Sequence, residues 1–188
     1  MKRTVSTLML GLTLVACHKH SPVQENAREV RTIKDTAIVA LFRDTIRGNG
    51  LSAEGQTFEL KTAAQRQSLR AMLRKERELW QAAKPRDYGF LLRVDCFCPG
   101  PRGWLLIGVR DNQPLRAWDR TGKPAAIIDW NTFSIDSLYD NLERSVDRVS
   151  EVQIAFDARW HFPRYVRSAV LPMPDSWSII QVRGFRPS

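Results

Sequence analysis

Apolar residues alternate with other residues from Tyr88 to Cys98, and this spacing constrains the fold more than any other feature of the chain. Successive side chains of a strand point to opposite faces, so one face of this segment is predicted to meet a core. The residues on that face are Tyr88, Phe90, Leu92, Val94, Cys96 and Cys98. Just upstream, residues 62–83 repeat apolar side chains at three- and four-residue spacing, which predicts an amphipathic helix that ends before Pro85. The side chains on its apolar face are Leu69, Met72, Leu73, Leu79 and Trp80. The chain therefore belongs to a mixed helix and strand class.

Further elements follow from turn and capping signals. Asp111-Asn112 lies between two alternating runs and predicts a hairpin. Ser134 is expected to cap a second helix, and Phe133 is expected to pack onto Leu138 of that helix. Three more strands are predicted near residues 152–156, 165–171 and 177–182, and residues 31–60 suggest two strands around a loop, or a helix over 35–47. The predicted fold is α+β, a single antiparallel sheet of about five to seven strands with two main helices packed on one face.

The N-terminus has the pattern of an export signal. A positive start, Met1 to Thr4, precedes an apolar stretch from Val5 to Ala16 that is shorter than the roughly 20 residues needed to span a bilayer. Leu14-Val15-Ala16-Cys17 resembles the bacterial lipobox, which implies a signal peptide over residues 1–16 and acyl chains such as palmitate on Cys17. An ordinary secretory leader or a short buried helix is the alternative interpretation.

Residues 17–30 have no apolar period and contain Pro22, so they are predicted to form a flexible tether before a single domain over residues 31–188. His18 and His20 within it are expected to be solvated, although they could bind a metal weakly. His18 follows the lipobox Cys where an Asp would signal inner-membrane retention. The expected location is therefore the outer membrane, with the domain facing the periplasm.

Several motifs over residues 79–187 are similar to those of a family of bacterial lipoproteins with a C-terminal domain of unknown function. The matching elements are Cys96-Phe97-Cys98-Pro99, residues 133–139, residues 152–157 and Phe162-Pro163. Two positions depart from the family pattern: His161 stands where a Gly is usual, and Asp175-Ser176 stands where paired acids are expected. The resemblance implies a fold and an envelope location, but no activity.

The Cys96 and Cys98 pair has three interpretations. Export to an oxidising compartment favours a short-loop disulfide, although positions i and i+2 of a flat strand lie at the limit of disulfide geometry, roughly 6.5 to 7 Å apart at Cα. Two buried free thiols are the second interpretation. The third is a redox or metal pair, in which His161 could complete a weak metal site.

The chain carries 29 Lys and Arg against 20 Asp and Glu, a formal charge of +9. A basic domain often binds nucleic acid, but export would remove that partner and leave anionic lipids and envelope polymers. An arginine stripe on the first helix could meet such phosphates, but a solvated helix face is the favoured interpretation. Its members are Arg66, Arg70, Arg74 and Arg77. Trp118, Trp130 and Trp160 lie near predicted turns and are candidates for an exposed contact surface.

The chain has none of the common catalytic motifs, so an enzyme is not expected, and no cofactor is implied. The predicted function is that of a lipid-anchored envelope lipoprotein, a binding or structural accessory module for an envelope protein or an anionic polymer. One alternative is an inhibitor or immunity-type lipoprotein acting against an envelope-degrading enzyme. Another is a thiol-based metal or redox carrier that uses Cys96 and Cys98.

Overall fold

The structure, a computed structural model, describes residues 55–96, 103–125, 134–170 and 177–188. In these ranges seven strands and two helices follow one another in the order β1, α1, β2, β3, β4, α2, β5, β6, β7. The helices are α1, Ala63–Ala83, and α2, Ile135–Ser145. The strands are β1, Gln56–Glu59; β2, Asp87–Cys96; β3, Trp104–Arg110; β4, Gln113–Trp118; β5, Val149–Phe156; β6, Pro163–Val170; and β7, Trp177–Pro187.

The seven strands form one antiparallel sheet in the order β1-β5-β6-β7-β2-β3-β4. The β3–β4 hairpin turns at Asp111 and Asn112, which both have positive φ, 49° and 62°. Such left-handed conformations suit a two-residue hairpin turn, and Asn and Asp adopt them at low cost. The sheet, the hairpin and the two helices confirm the predicted α+β class.

Helix α1 begins where the sequence predicted, because Thr62 caps it. The Thr62 hydroxyl accepts a hydrogen bond from the Gln65 backbone N–H, and the Gln65 side chain accepts one from the Thr62 N–H. This reciprocal capping box satisfies two backbone donors that a helix start leaves unpaired. Leu69 and Leu73 are buried as expected, but Leu79 is 38% exposed. Its predicted place on the buried face was wrong, because the core contact at that turn is made by the neighbouring Trp80.

Helix α2 is capped by Ser134, as predicted. The Ser134 hydroxyl accepts a hydrogen bond from the Ser137 N–H, and the Ser137 hydroxyl accepts one from the Ser134 N–H. The Ile135 N–H also donates to the Tyr88 hydroxyl at 3.3 Å, which ties the helix start to β2. Phe133, expected to pack onto this helix, lies outside the described residues.

Both helices pack on the sheet face that carries Tyr88, Phe90 and Leu92, the face predicted to meet the core. Trp80 is fully buried at its centre, with ring centroids 5.5 Å from Tyr88 and 5.7 Å from Phe185 in edge-to-face arrangements. Edge-to-face aromatic pairs add about 0.5 to 1.5 kcal/mol each beyond the area that they bury. This aromatic cluster fixes α1 against β2 and β7.

The opposite side of the sheet, which we call the far face, has its own apolar cluster. Leu91 and Trp118 are buried there, with Trp104 and Leu106 packed against them. Trp118 is only 4% exposed, so its predicted role in an exposed contact surface was wrong. Trp160 is half-buried against Phe185, and Trp130 lies outside the described residues.

Strand β1 corresponds to the second strand predicted within residues 31–60, and it pairs with β5 at one edge of the sheet. The segment 35–47, for which strand and helix were both considered, lies outside the described residues. Of the helices that the structure describes, none has the length and apolar character needed to cross a bilayer.

Candidate functional site

The arginine stripe of α1 joins the two helices. Arg77 forms ion pairs with Asp140 at 2.7 Å and with Glu143 at 3.0 Å, both on α2. These contacts hold α1 and α2 side by side over the sheet. A solvated helix face was the interpretation favoured by the sequence, and for Arg77 it was wrong because α2 supplies two carboxylates.

Arg66 and Arg70, the first two residues of the stripe, also make contacts within the domain. Arg66 donates hydrogen bonds to the Val146 carbonyl oxygen and, at 3.2 Å, to the Val149 carbonyl oxygen. These carbonyls follow the C-terminal end of α2, where backbone acceptors lack helical partners. Arg70 pairs with Asp147 at 2.5 Å. Most of the stripe is therefore committed to contacts within the domain, which argues against a phosphate-binding surface.

Cys96 is the last residue of β2 and lies on the same face as Val94, as predicted. Its side chain is half-buried, and its strand neighbour in β7 is Ser178. Cys98 and Cys17 lie outside the described residues, and so do Asp175 and Ser176. The pairing of Cys96 with Cys98, like acylation of Cys17, stays a prediction.

The structure does not bring His161 to Cys96. The row of paired residues across the sheet that contains Cys96 continues to Ser178 and then to Ser168 of β6. His161 precedes Pro163, where β6 begins. Pro163 and Ser168 are five residues apart along the strand, so His161 is at least about 16 Å along the strands from the row that contains Cys96. Within the described residues no three His, Cys, Asp or Glu side chains lie close enough to hold a metal ion.

His161 instead lies in the turn between β5 and β6 and contacts both helices. Its Nδ1 lies 3.0 Å from Glu76 Oε2 on α1, and its carbonyl oxygen accepts a hydrogen bond from the Tyr139 hydroxyl on α2. Burial raises the pKa of Tyr139 above its usual range, and the nearby Glu76 charge acts in the same direction. The hydroxyl therefore stays protonated and donates to the turn.

The backbone conformation of residue 161 explains why Gly is usual at this position. Its φ is +61°, in the left-handed region where a Cβ is unfavourable and Gly is the ordinary choice. The sequence signal for this left-handed conformation was the departure from the family pattern, with His161 where Gly is usual. The Glu76 contact was not predictable, because it joins residues from distant parts of the chain.

A pocket of about 200 Å³ opens on the far face, near the end of the sheet formed by β2, β3 and β4. Gly89 and Gly108 are paired across β2 and β3 and form its floor. A Cβ built on Gly108 would touch the Arg116 side chain at 3.5 Å and the Trp118 ring at 3.7 Å. The Arg116 side chain and the Trp118 ring therefore already lie beside Gly108. A Cβ at Gly89 would meet only the Ile107 carbonyl oxygen, at 3.4 Å, so the open part of the floor is at Gly89. The pocket lining includes Leu106, Arg110, Arg116 and Trp118.

Guanidinium groups are concentrated around this pocket. The Arg116 guanidinium carbon lies 5.1 Å from the centre of the Trp118 ring, a cation–π distance. Arg110 lies at the rim, with its Nε 3.9 Å from a carboxylate oxygen of Asp87.

A second arginine and tryptophan pair lies on the same face. The Arg183 guanidinium carbon is 5.1 Å from the Trp104 ring centre. Burial lowers the pKa of Arg183, and the positive charge of Arg93 lowers it further. On the far face, two arginines, Arg116 and Arg183, are thus each held against a tryptophan ring.

The comparisons with known proteins identify a family without an assigned activity. No curated protein matches the chain. The model of a family of unknown function, DUF6174, matches residues 72–168, just over half of the chain. The match starts within α1 and ends in β6, so it covers the pocket floor, His161 and Cys96, whereas the resemblance seen in the sequence extended from residue 79 to 187. The chain belongs to the DUF6174 family of unknown function.

Proposed function

We propose that this chain is an exported lipoprotein, anchored by acyl chains on Cys17, whose domain binds acidic polysaccharide in the cell envelope. The leader pattern and lipobox support the anchor. Two or three acyl chains hold a domain on a membrane far more firmly than one, since each buried CH₂ contributes about 0.8 kcal/mol. The expected place is the outer membrane, facing the periplasm, where nucleic acid is not a partner.

The glycine-floored pocket is the observation that carries this proposal. Its volume of about 200 Å³ is of the size of one sugar residue. Gly89 lets a ring approach the backbone, while Leu106 supplies an apolar wall. Arg116, held against Trp118, presents a planar donor group suited to a carboxylate, because guanidinium and carboxylate pair in a two-pronged geometry.

A second depression, between α1 and α2, is less suited to an acidic ligand. It is lined by Arg74, Arg77, Glu78, Gln81 and Glu143. Arg77 there is already paired with Glu143, and the two carboxylates would repel an anion. The far-face pocket is lined by two arginines, Arg110 and Arg116, and one side-chain carboxylate, that of Asp87, whereas the second depression has two of each.

The cysteines are assigned a structural role in this proposal. A disulfide between Cys96 and Cys98 would fix the end of β2 in an oxidising compartment. The separation of His161 from the Cys96 end of the sheet speaks against a shared metal site and hence against a thiol-based metal carrier. Binding without catalysis is the proposed activity.

Titration of the chain from residue 18 onward with acidic oligosaccharides tests the proposal. Oligogalacturonate is the probe, and its methyl-esterified form is the neutral control, with heat of binding as the readout. Gly108→Val should displace the Arg116 and Trp118 side chains that line the pocket, and Arg116→Gln should remove the anion partner. Each should weaken binding by about tenfold or more, equivalent to about 1.4 kcal/mol. Arg74→Gln, on α1, is the matched control.

Equal binding of the charged and neutral oligomers would contradict the proposal. So would equal affinities of Gly108→Val and Arg74→Gln, because the pocket would then play no part. Absence of binding by the unaltered chain would remove acidic polysaccharide as the ligand class.

A further inference from the structure

Arg183 on β7 is a cation with an unusual set of neighbours. It is half-buried, and its guanidinium group lies against the Trp104 ring of β3. Within the ranges that the structure describes, no carboxylate forms an ion pair with Arg183, and the charged group that acts on it is Arg93, of like sign. Withdrawing a charge from water without a counter-charge is unfavourable, so buried charges are normally paired. The fold therefore leaves a place for an anion beside Arg183.

The charges next to Arg183 on β2 are those of Arg93 and its partner Asp95. Arg93 Nε lies 2.7 Å from Asp95 Oδ2, so these two groups largely neutralise each other. The Arg183 charge is then left in surplus. The Arg93 side chain is 40% exposed, so a dissolved ligand can reach this part of the far face. The region thus combines a surplus cation with access from solvent.

The strand register places Arg183 beside the glycine-floored pocket but outside it. Arg183 pairs with Leu91 across β7 and β2, and Trp104 pairs with Arg93 across β3 and β2. The guanidinium group and the ring come from opposite sides of β2 and therefore meet above this strand. Successive residues on one face of a strand are about 7 Å apart, so the meeting point lies about 7 to 13 Å along β2 from Gly89 on the pocket floor.

The surface between the pocket and Arg183 is apolar. Leu106 and Trp118 line the pocket, and both belong to the same apolar cluster as Trp104. Trp118 holds the Arg116 guanidinium at the pocket, just as Trp104 holds that of Arg183. Two arginines, each stacked on a tryptophan, thus flank one apolar surface.

We propose that Arg183, Arg93 and Trp104 form a second anion subsite, so that the far face binds an acidic polymer through two of its carboxylates. The inference rests on the proposed function, which assigns the first carboxylate to Arg116, and it narrows the ligand from a single acidic sugar to a chain of them. A guanidinium group stacked on a ring keeps N–H donors free at its edge, where a carboxylate can pair with two of them. Once one carboxylate is bound in the pocket, the second contact is intramolecular, so the affinity rises with ligand length.

Titration with galacturonate of increasing length tests this subsite. The chain from residue 18 onward is titrated with galacturonate, digalacturonate and trigalacturonate, with heat of binding as the readout. The trimer should bind at least about tenfold more tightly than the monomer. Arg183→Gln should abolish most of this gain, while the affinity for the monomer, which occupies only the pocket, should change by less than about twofold. Arg167→Gln removes an exposed arginine from the same face of β6, and this matched control should keep the gain.

Three results would overturn the proposal. They are equal affinities for monomer and trimer, a gain with length that survives Arg183→Gln, and equal losses in Arg183→Gln and Arg167→Gln, which would show an effect of net charge alone. All three leave binding of the monomer in the pocket intact and so spare the proposed function. If the unaltered chain bound none of the oligomers, the proposed function would fail, and this subsite with it.

A spectroscopic readout covers the case in which Arg183→Gln does not fold. The indole N–H resonance of Trp104 is assigned in the unaltered chain by its loss in Trp104→Phe. The trimer should shift this resonance, because its second carboxylate lies beside the ring, whereas the monomer should leave it unchanged. The resonance of Trp80, which is fully buried beneath the helices, is the internal reference. A Trp104 resonance that does not move with saturating trimer would overturn the proposal.

Discussion

Replacing His161 separates the effect of its backbone conformation from the effect of its side-chain contact. His161→Gly removes both the Glu76 contact and the Cβ, whereas His161→Ala removes the contact but keeps the Cβ at φ +61°. The two variants differ in the cost of the left-handed backbone and in the freedom of the unfolded chain at this position. The Tyr139 hydroxyl donates to the carbonyl of residue 161, which both variants retain.

The expected magnitudes follow from these terms. Loss of a partly buried hydrogen bond costs about 1 kcal/mol of unfolding free energy. A Cβ in the left-handed region costs about 1 to 2 kcal/mol, and Gly returns part of this by its greater freedom in the unfolded chain, about 0.5 to 1 kcal/mol. His161→Ala should therefore be destabilised by about 1 kcal/mol. His161→Gly should be more stable than His161→Ala by about 0.75 kcal/mol, the difference between the middle values of the two ranges.

Urea unfolding followed by tryptophan fluorescence measures both differences. Glu76→Gln supplies a further comparison, since it alters the same contact from the other side and leaves the backbone at residue 161 unchanged. If His161→Gly were as unstable as His161→Ala, the left-handed backbone would cost no more than Gly loses through its freedom in the unfolded chain. The explanation for why Gly is usual at this position would then be refuted. If neither variant differed from the unaltered chain, the Glu76 contact would contribute nothing.

Two other predictions concern charges on the surface. Arg77→Met should lower the unfolding free energy by about 1 kcal/mol, because two partly exposed ion pairs to α2 are lost. Arg74→Met is the control and should change it little. Equal urea midpoints for the two variants would contradict the bridging role of Arg77. The hydrogen bond from the Thr121 hydroxyl lowers the pKa of Asp119. A lowered folded-state pKa adds stability above the unfolded-state pKa that is lost as the pH falls through the folded value. Titration by NMR should place the Asp119 pKa below about 3.9, and a value at or above it would contradict the contact.

The elements with local signals were predictable from the sequence. The alternation from Tyr88 identified β2 and its core face, and Ser134 and Pro85 marked helix boundaries, because caps and breaks depend on residues close in the chain. Leu79 and Trp80 were both predicted on the buried face and only Trp80 is buried, since spacing alone does not fix where a buried face ends.

The contacts between distant parts of the chain were not predictable in the same way. A helical wheel revealed the arginine stripe, but it did not reveal that α2 places Asp140 and Glu143 beside Arg77. The pocket floor likewise depends on the register that pairs Gly89 with Gly108, which no single segment encodes. The candidate site is therefore a product of strand pairing, whereas the fold class follows from periodicity.

Mass spectrometry of the native chain extracted from cell membranes tests the central claim most directly. The account predicts an N-terminal peptide that begins at Cys17 and carries fatty acids, with residues 1–16 removed. A chain that still begins at Met1 and carries no fatty acid would contradict export and anchoring, and with them the choice of an envelope polysaccharide as the ligand.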